Sequence, residues 1–183
     1  GSINDKLRKF FYTHADILEG RRCYIGCSGN FTIEQIISRR CKNAEIYSND
    51  VSLYSSALGH MLASKPFEME VINPDLLWAN DYIRRGRVEG VAVLLLLLEM
   101  LKYEKRNNPF KERMWLAYLS GFDGMFNKTV QKINQAWEHI RITDYEMVDV
   151  HDYYPRDGVN IGFLPTYEGG YEKLFAKLEE AIQ

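Results

Sequence analysis

Residues 23–31, Cys-Tyr-Ile-Gly-Cys-Ser-Gly-Asn-Phe, begin with apolar side chains and then change to small ones. Just beyond them, Thr32 and Gln35 form a capping-box pair ahead of a helical repeat of isoleucines. This order predicts a strand, a glycine turn and a helix whose first amides face a ligand. Because glycines at a strand end also occur in ordinary tight turns, the segment alone leaves both interpretations open.

A second strand and helix follow in the same order. Residues 45–48 predict a strand that ends at Asn49 and Asp50, and residues 51–63 have helical spacing of apolar side chains. The repeat predicts the βαβ unit of a parallel sheet. Asp50 lies about 20 residues beyond Gly29, where an acid accepts both hydroxyls of a ribose. The alternative role for Asp50 is the N-cap of the following helix.

The middle of the chain lacks strand patterns. Residues 74–140 are rich in leucine, aromatic and charged residues, which predicts several helices with breaks at residues 107–109 and 121–124. We expect a helical insert, residues 74–141, within a single domain spanning residues 3–183.

Strand character returns near the end of the chain, at residues 145–150 and 159–163. A helix before Gly20 and an amphipathic helix at residues 172–182 complete the pattern. The predicted fold class is therefore α/β, a Rossmann-like parallel sheet of about four strands with a helical insert.

The net charge of the chain does not indicate nucleic-acid binding. The chain has 46% hydrophobic and 26% charged residues, as in ordinary globular proteins, and a net charge of -2. Any DNA contact must therefore be local, because strong phosphate binders have a clear basic excess. Three short basic groups are candidates, although most such runs are solvated faces. They are Arg39, Arg40 and Lys42; Arg84, Arg85 and Arg87; and Lys102, Lys105 and Arg106.

Three cysteines in a sequence without a recognisable signal peptide fit the reducing cytoplasm, which is the expected location. Cys23 and Cys27 lack a second pair or a nearby histidine, so we expect packing cysteines and no metal site. The apolar run at residues 91–98 ends at Glu99 and is too short to span a bilayer. It predicts a buried helix and no membrane partner.

Polar or aromatic residues also follow the third and fourth predicted strands. Residues 150–152, Val-His-Asp, put the Asp152 carboxylate where it can accept from an adenine amino group. Residues 163–167, Phe-Leu-Pro-Thr-Tyr, follow the fourth strand. Since the carboxyl ends of parallel strands share one edge, we expect Gly29, Asp50 and Asp152 to line one crevice there. Taken alone, Asp152 would be an ordinary turn residue.

This order of elements resembles the Dam-like adenine-specific DNA methyltransferases, and phage or mobile-element members most closely. The family's first motif, Phe-x-Gly-x-Gly, falls on residues 25–29, with Cys27 replacing the first glycine. Its acid after the second strand falls on Asp50, and its adenine-recognising acid on Asp152. The resemblance implies S-adenosylmethionine as the cofactor. The cofactor-binding residues would be Gly26, Cys27, Ser28, Gly29, Asp50 and Asp152.

The family's catalytic motif, Asp-Pro-Pro-Tyr or Asn-Pro-Pro-Tyr, falls on Leu164, Pro165, Thr166 and Tyr167. In the family, the polar first residue accepts hydrogen bonds from the target amino group, but Leu164 has neither donor nor acceptor. Tyr167 would keep the stacking role on a flipped base. The resemblance therefore implies a degenerate catalytic site whose activity is weak or lost. The family's lysine-bearing motif before the first strand is also not evident.

Two other functions compete with this hypothesis. A noncatalytic module that binds nucleic acid or protein would be marked by a closed crevice. A nucleotide-dependent oxidoreductase is disfavoured, because Gly26 and Gly29 do not complete the Gly-x-Gly-x-x-Gly pattern. Four strands would be about half of the seven-stranded methyltransferase sheet, so we expect a fragment or a shortened relative. An uncovered fourth strand predicts a homodimer, another protein partner or further sequence.

Overall fold

A computed structural model describes residues 3–162 and 171–183 of the chain. The described residues within Gly1–Pro66 and Trp137–Glu168 form one compact unit. Those within Phe67–Ala136 and Gly169–Gln183 form a second unit. The expected insert at residues 74–141 covers much of the second unit, and its place within a single domain stays a prediction.

The first unit contains a four-stranded sheet in which every pair of neighbours is parallel. Its strands are β1 Arg22–Gly26, β2 Glu45–Asn49, β3 Asp144–Glu146 and β4 Val159–Gly162. The strand order is β3-β2-β1-β4, so β4 lies at an edge among the described residues. The predicted α/β class and the single parallel sheet are confirmed.

The helices are distributed between the two units. In chain order they are α1 Asp5–His14, α2 Thr32–Arg40, α3 Leu53–Leu62, α4 Asn80–Ile83, α5 Arg87–Met100, α6 Pro109–Trp137, α7 Val150–Tyr153 and α8 Tyr171–Ala181. Short 3₁₀ turns lie at Ala15–Leu18, Pro74–Ala79 and Leu101–Tyr103. The first unit holds α1, α2, α3 and α7, and the second holds α4, α5, α8 and most of α6.

The sheet has one buried face and one half-exposed face. Cys23 and Ile25 of β1 are buried, whereas Tyr24 between them is half-buried and stacks on Tyr47 of β2 at 4.9 Å between ring centroids. This alternation follows from the period of two in a strand. Ile37 of α2 is completely buried, and burial of such a side chain contributes about 1.5 to 3 kcal/mol.

The N-terminal caps of α2 and α3 differ from those predicted from the sequence. Thr32 is the first helical residue of α2, and the cap is Phe31, without a side-chain hydrogen bond. The capping-box prediction was therefore wrong. Helix α3 is capped by Ser52, whose hydroxyl accepts from the Ser55 amide at 3.4 Å. The alternative that Asp50 caps this helix was also wrong.

The third strand is shorter than predicted. It ends at Glu146, and Val150 begins α7 instead of ending a strand. The Asp149 side chain accepts from the His151 amide at 2.8 Å and so caps the first turn of α7. A polar cap of this kind satisfies an amide that a helix start leaves unpaired, which outweighs the strand propensity of the preceding valine.

The second unit contains the leucine-rich helix α5. Leu94 and Leu97 are completely buried, as the sequence predicts for residues 91–98. Helix α6 continues through residues 121–124, where a break was predicted wrongly. Its buried aromatic residues outweigh the cost of about 1 kcal/mol for each glycine within a helix. Among the described residues, no helix is long and apolar enough to cross a membrane.

Candidate functional site at the carboxyl edge of the sheet

The strand order places the candidate site. From β1 the chain proceeds to β2 and then β3 on one side, while β4 pairs with β1 on the other side. Ligands of open parallel sheets bind outside the carboxyl ends of the strands, where the strand order reverses. The crevice expected from topology therefore lies outside the ends of β1 and β4, at Gly26 and Gly162.

The turn after β1 is tightly folded. Cys27, Gly29 and Phe31 have φ angles of 57°, 55° and 54°, which is the left-handed region. The Ser28 amide donates to the Asn49 carbonyl at 2.9 Å, which ties the turn to the end of β2. A residue with a Cβ loses about 1 to 2 kcal/mol in this conformation. Glycine at position 29 avoids this cost, whereas Cys27 and Phe31 in the same turn bear it.

Asp50 connects the turn to the β2–α3 junction. Its side chain belongs to a residue only 5% exposed. One carboxylate oxygen accepts from the Gly29 amide at 2.9 Å, and the other accepts from the Ser52 amide at 3.0 Å. The structure thus brings Gly29 and Asp50 together. A carboxylate can accept about four hydrogen bonds, so these two amides leave acceptor capacity unused.

Glu34 is a buried acid next to this turn that sequence reasoning missed. It lies in the first turn of α2 and is completely buried. One oxygen accepts from the Ser48 hydroxyl at 3.0 Å, while the other has no hydrogen-bond partner among the described residues. Burial raises the pKa of Glu34 to about 7, and the Asp50 carboxylate adds to this rise. An acid within a stripe of isoleucines was the sequence signal for this position.

Tyr154 was also missed, and it lies directly at the carboxyl ends of β1 and β4. Its hydroxyl accepts from the Gly26 amide at 2.5 Å and donates to the Ile161 carbonyl. A Cβ at Gly26 would lie 2.7 Å from the Tyr154 ring and 2.8 Å from a methyl of Val150. Gly26 therefore needs to be glycine because a protein side chain packs against it.

Cys27 is half-buried, and its thiol stays protonated near neutral pH. Burial raises the pKa of Cys27 to about 11, and the carboxylates of Asp50 and Asp149 add to the rise. A neutral thiol is a poor nucleophile and a poor metal ligand. The described part of the chain has no group of three or more His, Cys, Asp or Glu residues arranged to hold a metal ion.

The remaining predicted site residues lie elsewhere or beyond the described ranges. Asp152 is exposed on α7, and its amide donates to the Asp149 carbonyl at 3.0 Å. No hydrogen bond or ion pair of the described residues joins Asp152 to the glycine turn or to Asp50. The predicted catalytic residues Leu164, Pro165, Thr166 and Tyr167 lie outside the described residues, as does Phe163.

A comparison with protein-family models gave a match over residues 1–183, which is the whole chain. The matching family is described as Phage DNA Adenine Methylase-like domain 1. Neither the curated proteins nor the solved structures gave a significant match.

Proposed function

The chain belongs to the phage DNA adenine methylase-like family, and we propose that it binds S-adenosylmethionine at the carboxyl end of β1, outside the ends of its neighbours β2 and β4. One observation carries this proposal. The glycine turn lies beside the reversal of strand order and is joined through Asp50 to the end of β2. In parallel sheets, that combination of backbone turn and acid suits an adenosine-containing cofactor.

We assign the cofactor contacts residue by residue. Gly26, Cys27, Ser28 and Gly29 supply the backbone that approaches the cofactor. The unused acceptor capacity of Asp50 serves the ribose hydroxyls.

For the adenine amino group, Asp152 remains the proposed partner. Asp149 is the alternative, because its negative charge helps to raise the pKa of Cys27 in the glycine turn. The substitutions D152N and D149N separate them, since asparagine keeps the helix-capping ability of position 149. We expect cofactor binding to weaken only in the variant that changes the acid in contact with the adenine amino group.

The cofactor itself is tested by calorimetric titration with three compounds. We expect S-adenosylmethionine and S-adenosylhomocysteine to bind and NAD to fail. Binding of NAD alone would instead support an oxidoreductase. Failure of all three compounds would support the noncatalytic module.

For activity, we propose methyl transfer to adenine in DNA that is very slow or absent. The reason is Leu164, whose side chain has no acceptor for a hydrogen bond from the target amino group. Loss of a comparable positioned group costs roughly a hundredfold to a thousandfold in rate. A tritiated methyl-transfer assay on unmethylated DNA would compare the natural chain with L164D and L164N. Rescue by either variant supports the proposal, and rapid turnover by the natural chain contradicts it.

DNA is the proposed macromolecular partner, in the cytoplasm and through local basic groups. Two of these basic residues form ion pairs within the chain: Arg40 pairs with Asp16 at 2.7 Å, and Lys102 pairs with Glu99 at 2.6 Å. Among the described residues β4 is an edge strand, and we propose a second copy or another protein as the partner that pairs with it. Mobility shifts at increasing salt test the first interaction. Analytical ultracentrifugation tests self-association.

A noncatalytic binding module is the second candidate function. Tyr154 and Val150 fill the space outside Gly26, as a closed crevice requires. In that case the glycine turn and Asp50 stabilise the fold and contact no cofactor.

A further inference from the structure

We propose that the side chain of Tyr154 competes with S-adenosylmethionine for the space outside Gly26, so that cofactor binding displaces it. The inference rests on the proposed cofactor. If Tyr154 is displaced, the crevice outside Gly26 is one that the cofactor opens; if it is not, the crevice is permanently closed.

Tyr154 lies at the edge of the sheet where the ligand crevice is expected. The reversal of strand order places the ligand crevice outside the carboxyl ends of β1 and β4. The Tyr154 hydroxyl contacts both strands there, through the Gly26 amide and the Ile161 carbonyl, and lies 3.1 Å from the Tyr24 carbonyl. The phenol therefore lies where topology places the ligand.

The space outside Gly26 is already filled by protein side chains. A Cβ at Gly26 would come within 2.8 Å of the Tyr154 ring, the Tyr154 hydroxyl and a Val150 methyl. At Gly162 the nearest ring atom would be 3.3 Å away. A cofactor that uses the backbone of Gly26 therefore meets the Tyr154 ring, and the Gly26 amide already donates to the phenol oxygen.

The neighbouring tyrosines Tyr153 and Tyr154 are held in different ways. Tyr153 is 1% exposed and anchors the end of α7, whereas Tyr154 is only half-buried. The hydroxyl of Tyr154 makes the hydrogen bonds, and such bonds contribute about 0.5 to 1.5 kcal/mol each. The Tyr154 ring can therefore leave while Tyr153 keeps the segment in place.

The test uses Y154F, which keeps the ring and removes the hydroxyl. Tyr153 supplies a matched control, since its hydroxyl has no hydrogen-bond partner among the described residues. We expect Y154F to bind S-adenosylmethionine about threefold to tenfold more tightly, because one or two hydrogen bonds no longer have to break. Y153F should match the natural chain. Thermal unfolding of both variants confirms that they are folded.

A second measurement follows Tyr154 directly. Nitration by tetranitromethane, mapped by peptide mass spectrometry, should increase at Tyr154 when S-adenosylmethionine is saturating. Unchanged or weaker binding by Y154F would overturn the displacement and leave cofactor binding standing. Absence of binding by the natural chain and by both variants would overturn the proposed function and the displacement together.

Discussion

Two acids that follow neighbouring strands of the sheet have very different surroundings. Asp50 comes directly after β2, is buried, and accepts from the amides of Gly29 and Ser52. Asp152 lies well beyond the end of β3 and is exposed on α7. Of the two acids, Asp50 is the one that the glycine turn reaches, because it follows its strand directly and accepts from the Gly29 amide.

The largest expected effect is on stability. Replacing Asp50 by alanine should lower the free energy of unfolding by about 3 to 5 kcal/mol, because two charge-assisted hydrogen bonds are lost. Replacing the exposed Asp152 by alanine should change it by less than about 0.5 kcal/mol. Urea unfolding followed by circular dichroism measures both. Equal losses would break the comparison between the two acids.

The buried acid Glu34 extends this comparison, because its raised pKa makes the free energy of unfolding depend on pH. Its pKa is raised from 4.5 to about 7, so the folded chain retains a proton that the unfolded chain releases. The stabilisation is complete below pH 4.5 and is lost as the pH rises to about 7. For a fully buried group the loss amounts to roughly 3 kcal/mol.

Urea unfolding between pH 4 and 8 measures this dependence, and E34Q should remove it. The variant D50N should shift the midpoint of the dependence to lower pH, since the Asp50 charge contributes to the raised pKa. A pH dependence that E34Q leaves unchanged would show that another group causes it.

Cofactor affinity gives the third prediction. Replacing Asp50 by alanine should weaken S-adenosylmethionine binding by about 1.5 to 3 kcal/mol, through loss of charge-assisted hydrogen bonds to the ribose. Isothermal calorimetry measures this change, with D50N as the variant that keeps the shape of the side chain. Unchanged affinity in folded D50N would give Asp50 a purely structural role.

The sequence predicted most of the sheet because local signals and the fold agreed there. Apolar strands followed by small residues at 26–29 and 49–50 leave few alternatives to parallel βαβ units. The third strand was overextended because the cap at Asp149 competes with a valine-rich segment. A side chain's tertiary partner has no local signal, and so Tyr154 was missed at the end of a short helix that was itself not predicted.

The smallest expected effect separates two glycines. Gly29 has a φ of 55° in the turn that Asp50 holds, so G29A should lower the free energy of unfolding by about 1 to 2 kcal/mol. Gly124 lies in α6, where a Cβ would meet nothing within 4 Å, and G124A should stabilise the chain by up to about 1 kcal/mol. Both variants add the same methyl group, and urea unfolding measures each effect. Opposite signs would identify the left-handed backbone as the reason for glycine at position 29. Stabilisation by G29A would mean that the turn tolerates a side chain and that Asp50 can hold it without help from glycine.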